Sequence, residues 1–237
     1  MAKANQGWKV LPHRPIEKLD DRVWRVEGDL EGMPLRRVMT VARNAAGGLV
    51  VHNAIALDGP SMEAIDAWGE VVAIVVPNGY HRLDAPAFHA RYPKARVLCP
   101  AGARKKVEEV VPVAGTYEDL GADAAVSLET LDGTAAAEGA MIVRGSSGTT
   151  VVLNDVVFNM PHVPGFTGWV LRSLTQSTGG VRISRVARWL VVKDRRAVAS
   201  HLERLAALPD LVRVIVSHHE TIDRDPAGAL RAVAATL

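Results

Sequence analysis

The sequence predicts an α/β domain with a mixed β-sheet, and three observations support this fold class. Residues 22–57 contain short apolar or β-branched runs separated by turn residues, a pattern typical of a strand meander. Residues 71–76 form a continuous apolar run, as expected of a strand covered on both faces. From there to the C-terminus, strand-like and helix-like segments alternate. The meander favours antiparallel pairing and the alternation favours parallel pairing, so we expect both.

The composition is that of an ordinary globular protein and sets broad limits on function. Apolar residues make up 48% and charged residues 23% of the 237 residues, and no repeat or linker divides them. We therefore predict a single domain over residues 1–237, with residues 1–20 as an extended N-terminal segment. The net charge of +2 gives no reason to expect a nucleic-acid or membrane partner. Cys99 is the only cysteine, which excludes an internal disulfide.

The first 15 residues bear on localisation. They are polar, include two prolines, and lack the apolar core of a signal peptide. Nowhere does the sequence contain the roughly 20 consecutive apolar residues that a membrane-spanning helix needs. We therefore expect a cytoplasmic protein.

The N-terminal half is predicted in some detail. The meander contains strands at 23–26, 38–41 and 49–51, and the Asn/Gly-containing connection 44–48 indicates a hairpin. Ser61 is expected to cap a helix over 61–68 that ends at Gly69, and strand 71–76 follows. Asp84 is expected to cap the next helix, Pro93 to end it, and 96–99 to form another strand.

The C-terminal half is predicted from periodicity and capping residues. The predicted strands are 126–130, 140–143, 149–153 and 212–216, and the predicted helices are 103–110, one capped by Asp194 and one opened by Asp225 and Pro226. Residues 145–148 are expected to form a hairpin turn. The segment 161–180 is rich in Gly, Pro, Ser and Thr, which predicts a long surface loop with a helical piece at 169–174.

Polar clusters follow three of the predicted apolar strands. They are Asn78 and His81 after 71–76, Asn154 and Asp155 after 149–153, and His218 and His219 after 212–216. In layered α/β folds, sites form where loops leave the sheet edge. Imidazole and carboxylate groups there can bind a divalent metal ion. Each residue alone is more often a hydrogen-bonded surface side chain, and recurrence at three strand ends strengthens the case for a metal site without outweighing that interpretation.

The order of these elements resembles the metallo-β-lactamase superfamily over residues 22–237. Residues 48–53 are similar to the family's strand that ends near the site, and the helix 61–68 and strand 71–76 precede the position of its ligand loop. Residues 152–158 resemble the strand with the bridging aspartate, and 214–218 the strand that delivers the last histidine. This resemblance implies a four-layer αββα sandwich with mixed sheets.

The loop 77–84 stands where that family carries its His-x-His-x-Asp-His ligand motif. Laid on the motif without gaps, the four ligand positions hold Asn78, Tyr80, Arg82 and Leu83, and His81 falls on a non-ligand position. The Pro-Asn-x-x-His pattern resembles a branch of the superfamily whose members generally lack the full motif.

Only two further ligand positions match the family. They are Asp155 and His218, because the histidine expected between the loop and the aspartate is missing from 120–150. This argues against a dinuclear centre, and Arg82 would repel a second cation. A mononuclear site can use His81, Asp155 and His218, since catalytic zinc often has three protein ligands. His219 or Asn78 are candidates to supplement this set.

The resemblance and the changed ligands leave three functional hypotheses. The leading one is a hydrolase that uses one divalent ion (zinc, manganese or iron) on an unidentified small molecule, with Tyr80 or Arg82 steadying an anionic intermediate. The second is an inactive, metal-free binding or interaction module, in which Arg82 pairs with Asp155 in place of the lost ion. A metal-free hydrolase using His81 or His218 as a base ranks last, because an obvious nucleophile is missing.

Overall fold

Two β-sheets pack face to face in the computed structural model, which describes residues 4–5 and 7–237. The N-terminal segment expected over 1–20 therefore falls partly on residues 1–3 and 6, outside the described residues. The larger sheet has seven strands and the second sheet four, and a separate ribbon has two. Within the described part of the chain, none of the helices is long and apolar enough to cross a membrane.

The larger sheet is built in chain order. Its strands are β1 (Glu17–Lys18), β2 (Val23–Leu30), β3 (Met33–Arg43), β4 (Leu49–His52), β5 (Val71–Val75), β6 (Arg96–Cys99) and β7 (Gly115–Thr116). The pairs from β1 to β4 are antiparallel, and those from β4 to β7 are parallel. The predicted meander and its change to parallel pairing are both present in this sheet.

The second sheet joins segments that are distant in sequence. The remaining strands are β8 (Val126–Thr130), β9 (Gly139–Gly145), β10 (Gly148–Leu153), β11 (Phe158–Met160), β12 (Gly180–Arg182) and β13 (Leu211–Val216). The sheet order is β13-β10-β9-β8, and β11 pairs with β12 in the separate ribbon. β10 and β13 are parallel, whereas β8, β9 and β10 are antiparallel. Gly145 pairs with Gly148, which confirms the hairpin turn between them.

Seven α-helices flank the sheets in the described residues. They are α1 (Gly59–Trp68), α2 (Ala85–Arg91), α3 (Arg104–Glu108), α4 (Gly165–Ser173), α5 (Arg185–Leu190), α6 (Arg195–Ala206) and α7 (Pro226–Ala234). α1, α2 and α3 contribute to an apolar cluster with the larger sheet, and α5, α6 and α7 contribute to another with the second sheet.

Side-chain alternation along the strands separates three apolar cores. On β3, Met39 packs in a cluster with Met62 of α1, whereas Val38 packs on the opposite face with Met141 of β9. On the outside of the second sheet, Val214 belongs to a cluster with Leu202 of α6. Helices therefore cover the outer face of each sheet, and the inner faces pack together. This is the four-layer αββα sandwich with mixed sheets that the sequence predicts.

Two predicted helix caps are wrong. The first helix begins at Gly59 because the Asp58 carboxylate, rather than Ser61, is the cap and accepts the Ser61 N–H at 2.9 Å. Asp84 precedes α2 but makes no capping hydrogen bond. Its carboxylate instead accepts a bond from Arg37 Nη2 at 2.8 Å and from the Ala56 N–H at 3.2 Å. A buried cation therefore takes the oxygen that the helix end would otherwise use.

The Gly/Pro-rich segment contains more regular structure than predicted. α4 begins at Gly165, earlier than the predicted piece at 169–174, and strand β12 begins at Gly180, where the segment ends. Helix α5, which was not predicted, follows shortly after the segment. The Ser184 hydroxyl caps α5 by accepting the Ala187 N–H at 3.0 Å. The segment is too short and too rich in turn residues for periodicity to reveal these elements.

The buried ion pair between Arg37 and Asp84 provides a test of the fold. Both side chains are nearly inaccessible, with 6% and 0% exposure. Changing Asp84 to Ala leaves a buried guanidinium without its partner, and we expect a loss of about 3–5 kcal/mol in the free energy of unfolding. Urea denaturation measures this loss.

The exposed pair of Arg104 and Glu108 is the matched control. Glu108→Ala should cost much less, because solvent screens that pair. The double variant Arg37→Met, Asp84→Leu should recover most of the stability lost by Asp84→Ala, since it removes both charges. Equal losses for the Asp84 and Glu108 variants would contradict the assignment.

Candidate metal centre

The three polar clusters meet at one end of the sandwich. β10 and β13 are adjacent and parallel, so the residues that follow them lie side by side. β5 of the larger sheet ends at the same edge and leads into the loop with His81. One ligand atom from each of His81, Asp155 and His218 lies within 4.8 Å of the other two. The structure thus brings together the three residues that the sequence proposes as metal ligands.

Both imidazoles approach the same oxygen of the aspartate. His81 Nε2 lies 3.1 Å and His218 Nε2 lies 3.3 Å from Asp155 Oδ1. The three side chains are 8%, 7% and 17% exposed, respectively, so the cluster is largely shielded from water. Asp155 Oδ1 is therefore the centre of the arrangement.

Asn53 fixes the ring of His81. This residue follows β4 with a positive φ of 57°, and its Nδ2 donates to the Val38 carbonyl at 2.8 Å. That bond leaves Asn53 Oδ1 as the acceptor facing His81 Nδ1, at 3.2 Å. With the Nδ1 hydrogen donated to Asn53, the Nε2 atom of neutral His81 carries a lone pair.

A backbone carbonyl fixes His218 in the same neutral tautomer as His81. Its Nδ1 donates to the Arg36 carbonyl at 2.8 Å. Phe158 stacks on the ring, with centroids 5.5 Å apart and planes 9° from parallel. The nearby Val38 N–H donates to the Ser217 carbonyl at 2.8 Å, which joins β3 to the loop after β13. In the neutral ring, the lone pair of His218 is therefore also on Nε2, the atom nearest to Asp155.

A buried amide and a buried acid hold Asp155 from the other side. Asn78 Nδ2 donates to Asp155 Oδ2 at 2.8 Å and to Glu138 Oε1 at 2.6 Å. Asn78 Oδ1 accepts the N–H groups of Tyr80 and His81 at 2.8 and 2.9 Å. One asparagine thus orients the aspartate and shapes the loop that carries His81.

This hydrogen bonding is the arrangement that a metal site requires. Two neutral imidazoles would aim lone pairs at a carboxylate oxygen, which is repulsive unless a cation or a proton lies between them. Ligands held 2.0–2.1 Å from a tetrahedral zinc ion are about 3.4 Å apart, close to both measured N–O distances. Outer hydrogen bonds from the remote Nδ1 atoms are typical of metal-binding histidines. The residues therefore fit one divalent ion.

The two neighbouring acids have opposite pKa shifts. Burial by itself raises the pKa of Asp155, but the positive charge and the Nε2–H hydrogen bonds that His81 and His218 supply when protonated outweigh it and hold the pKa well below the usual value, as a bound cation would. Burial raises the pKa of Glu138 well above its usual value, and the charge of Asp155 adds to this effect. Asp155 is consequently the anionic member of the pair.

The proposed supplementary ligands have other hydrogen bonds. His219 Nε2 accepts the Arg36 N–H at 3.3 Å, and burial lowers the pKa of this histidine to about 4. The oxygen of Asn78 accepts the two backbone N–H groups of its own loop. Within the described residues, the cluster that could hold a metal ion consists of His81, Asp155 and His218.

Arg82 lies beside the site but does not pair with Asp155. Its guanidinium bonds to Glu109 Oε2 at 2.7 Å and to the Lys106 carbonyl. The predicted pair of Arg82 and Asp155 in a metal-free pocket is therefore wrong. The Arg82 guanidinium bonds to acceptors in and next to α3, and His81 is the residue that contacts the Asp155 carboxylate. Tyr80 is 48% exposed, and the Lys106 ammonium lies 5.0 Å from its ring centroid.

A cavity of about 470 Å³ contains the cluster in its lining. Most of the remaining lining is apolar and includes Leu30 and Met33 from β2 and β3, Leu171 from α4, and Val186 and Leu190 from α5. Tyr80, Arg82 and the buried Arg37 also line it. The site is thus a small polar group inside an apolar cavity.

Sequence reasoning missed several residues that support the site. Asn53, Glu138, Phe158 and Arg37 were not proposed, although each contacts the cluster or lines its cavity. Glu138 offered one signal, as a lone acid in the small-residue run Ala-Ala-Ala-Glu-Gly-Ala. The other three depend on contacts between strands that local sequence does not specify.

Comparison with solved structures identifies the architecture. The chain superposes on a DIM-1 metallo-β-lactamase exposed to ceftazidime with a TM-score of 0.61 and 14% identity, covering 96% of this chain and 99% of that one. It is equally similar to a metallo-β-lactamase from Erythrobacter litoralis with β-mercaptoethanol in the active site, at TM-score 0.62, 14% identity, and 94% and 96% coverage. TMB-1 gives a TM-score of 0.60 at 12% identity, with 95% and 99% coverage.

These likenesses show that the chain has the metallo-β-lactamase fold. Neither a protein-family model nor a curated protein sequence matches it. At 12–14% identity the structural neighbours establish the architecture alone. What this site does must be argued from its own residues.

His52, one residue before Asn53, provides a pH test of the buried site edge. Burial, with a smaller contribution from His81, lowers the pKa of His52 to about 3, against an ordinary value of 6.5. Between these values the unfolded chain binds a proton that the folded chain does not. The contribution of neutral His52 to the free energy of unfolding is therefore fully present above pH 6.5. As the pH falls below 6.5, the free energy of unfolding decreases by about 1.4 kcal/mol per pH unit.

We expect His52→Leu to flatten the fall in unfolding free energy between pH 6.5 and 5. Urea denaturation across this pH range gives the slope. The exposed His162 is the control, and His162→Leu should retain the wild-type slope. An unchanged slope for the His52 variant would show that this ring is protonated in the folded protein.

Proposed function

We propose that this protein is a hydrolase that depends on a single divalent metal ion. The observation that carries this proposal is the shared contact of His81 Nε2 and His218 Nε2 with Asp155 Oδ1, at 3.1 and 3.3 Å. Each remote Nδ1 donates to a fixed carbonyl oxygen, so the three facing atoms are all lone-pair donors in the neutral, metal-binding state. A divalent ion held there lowers the pKa of a bound water to near neutrality and polarises a substrate carbonyl.

The chain's own residues orient the ligands and limit access by water. Asn53 and the Arg36 carbonyl fix the two imidazole rings, and Asn78 leaves one aspartate oxygen free. Phe158 covers the face of His218. Such outer contacts determine ligand orientation and strengthen metal binding. The hydrogen bonds that orient the three ligands therefore involve neither the Tyr80 nor the Arg82 side chain.

The cavity supports a substrate with a substantial apolar part. Side chains such as Leu171, Val186 and Leu190 form its walls, and the polar ligands lie together on one side. An apolar group bound to these walls would exclude water from the cluster and hold a hydrolysable bond beside it. Arg37 is the buried cation of the cavity, but its charge is paired with Asp84.

Metal analysis tests the first half of the proposal. We expect the purified protein to bind one equivalent of zinc, manganese or iron, because the cluster supplies three ligands. His81→Ala and Asp155→Ala should each reduce occupancy at least tenfold, whereas the exposed control His162→Ala should retain it. Elemental analysis and calorimetric titration measure the stoichiometry.

Less than about a tenth of an equivalent, with no binding on titration, would contradict the metal site. In that case the cluster would be a metal-free hydrogen-bonded group, and the protein would be a metal-free binding module. Retained occupancy in both alanine variants would show that other residues are the ligands.

Hydrolysis by the metal-loaded protein tests the second half. A series of p-nitrophenyl esters with acyl chains of two to ten carbons probes both the chemistry and the apolar cavity. We expect kcat/KM to rise with chain length, and Asp155→Ala to reduce it at least about 100-fold while His162→Ala leaves it unchanged. Bound metal without hydrolysis of these esters, lactones, thioesters or β-lactams would indicate a metal-binding protein without this activity.

A further inference from the structure

Exposed apolar side chains lie on or next to α4 and α5, two helices that also contribute residues to the cavity wall. We define the α4–α5 patch as the exposed residues Phe166, Trp169, Leu174, Val186, Trp189 and Leu190. Phe166 is 78% and Trp189 is 82% exposed, and the rings of Phe166 and Trp169 stack with centroids 5.9 Å apart. Large aromatic side chains grouped at the surface indicate a binding face, whereas isolated ones do not.

The charged residues of the chain segment that carries this patch have one sign. Between Asp155 and Asp194 the chain contains Arg172, Arg182, Arg185, Arg188 and Lys193 and no acidic residue. The whole chain has a net charge of only +2, so the remainder is net negative. Among the described residues, none of these five cations forms an ion pair with a carboxylate. The chain segment that carries the patch, residues 156–193, is therefore both rich in exposed apolar side chains and cationic.

We propose that the α4–α5 patch docks on an anionic lipid surface. Exposed Trp, Phe and Leu accompanied by arginine are the side chains that bind the boundary between headgroups and acyl chains. The arginines complement anionic headgroups, and the aromatic rings enter the apolar layer. The whole-chain charge conceals this feature, and the expectation that a membrane partner is absent rested on that total.

The position of the patch relates it to the cavity. Val186 and Leu190 are exposed and also line the cavity, as do Met33 and Tyr80, so the cavity opens between them. The Arg185 N–H donates to the Thr175 carbonyl at 2.8 Å, which holds the start of α5 next to the end of α4. A lipid surface on the patch would consequently face the cavity mouth. This docking is independent of the metal.

A second copy of the chain is a poorer partner for the same face. A two-fold symmetric contact brings the same patch of each subunit together. Arg172 and Arg185 would then face the arginines of the other copy, and this like-charge contact opposes association. The uniform positive charge instead favours an anionic partner.

Vesicle flotation tests the proposal with the full-length protein. Vesicles of phosphatidylcholine alone are compared with vesicles containing 30% phosphatidylglycerol. We expect binding to the anionic vesicles only, weakened in 0.5 M sodium chloride. Phe166→Ser combined with Trp189→Ser, and separately Arg185→Glu, should each weaken partitioning about tenfold or more.

Arg144→Glu is the matched control for charge. It makes the same change at an exposed residue of β9, which pairs with Thr149 at the start of β10, the strand end remote from Asp155. This variant should bind vesicles as the wild type does. All variants should keep the wild-type metal stoichiometry and thermal midpoint, which separates loss of docking from misfolding and from failure of the metal site.

Two results would overturn the proposal. The first is absence of wild-type binding to the anionic vesicles, and the second is equal binding by the patch variants. If vesicle binding is absent, binding of oligo-dT would assign the patch to nucleic acid, and dimerisation that Trp189→Ser abolishes would assign it to a second copy of the chain.

Discussion

The site depends on one oxygen atom that two imidazoles share. Asp155 Oδ1 contacts both His81 and His218, and each ring is turned toward it by a hydrogen bond on its far side. Each histidine is held in one neutral tautomer, with its hydrogen on Nδ1. The Asn53 amide oxygen accepts this hydrogen from His81, and the Arg36 carbonyl accepts it from His218. The aspartate is likewise fixed by Asn78. These constraints make the three facing atoms a single unit whose repulsion a cation relieves.

The fold imposes these constraints through contacts between its two sheets. The Asn53 amide donates to Val38 of β3, and the Val38 N–H donates to Ser217 after β13. The backbone carbonyl of Arg36, on the same strand, accepts the hydrogen bond from His218 Nδ1. β3 extends beyond its pairing with β4, which ends at Thr40, and its free backbone groups bind the loop from the second sheet. The edge of one sheet therefore positions a ligand delivered by the other.

Sequence patterns predicted the α/β class and the three ligand candidates for a local reason, whereas the four layers were implied by the family resemblance. Apolar runs define strands, and the polar residues that end them must lie at a sheet edge, as His81, Asp155 and His218 do. Partners across sheets could not be predicted in this way. Arg82 was assigned to Asp155, but α3 places Glu109 within its reach. Asp84 looked like a helix cap, but folding places Arg37 beside it.

Asn78 is the residue on which the loop 77–84 and the two buried acids depend. Its side chain donates to the carboxyl groups of Glu138 and Asp155 while accepting two backbone N–H groups of its own loop. An imidazole has two ring nitrogens and cannot make those four bonds. Glu138, whose carboxylate bonds to Asn78, is buried and would lose this donor if a histidine stood at position 78. The asparagine and the buried acid therefore form one hydrogen-bonded structure, which supports His81 and Asp155 from the side opposite the shared contact.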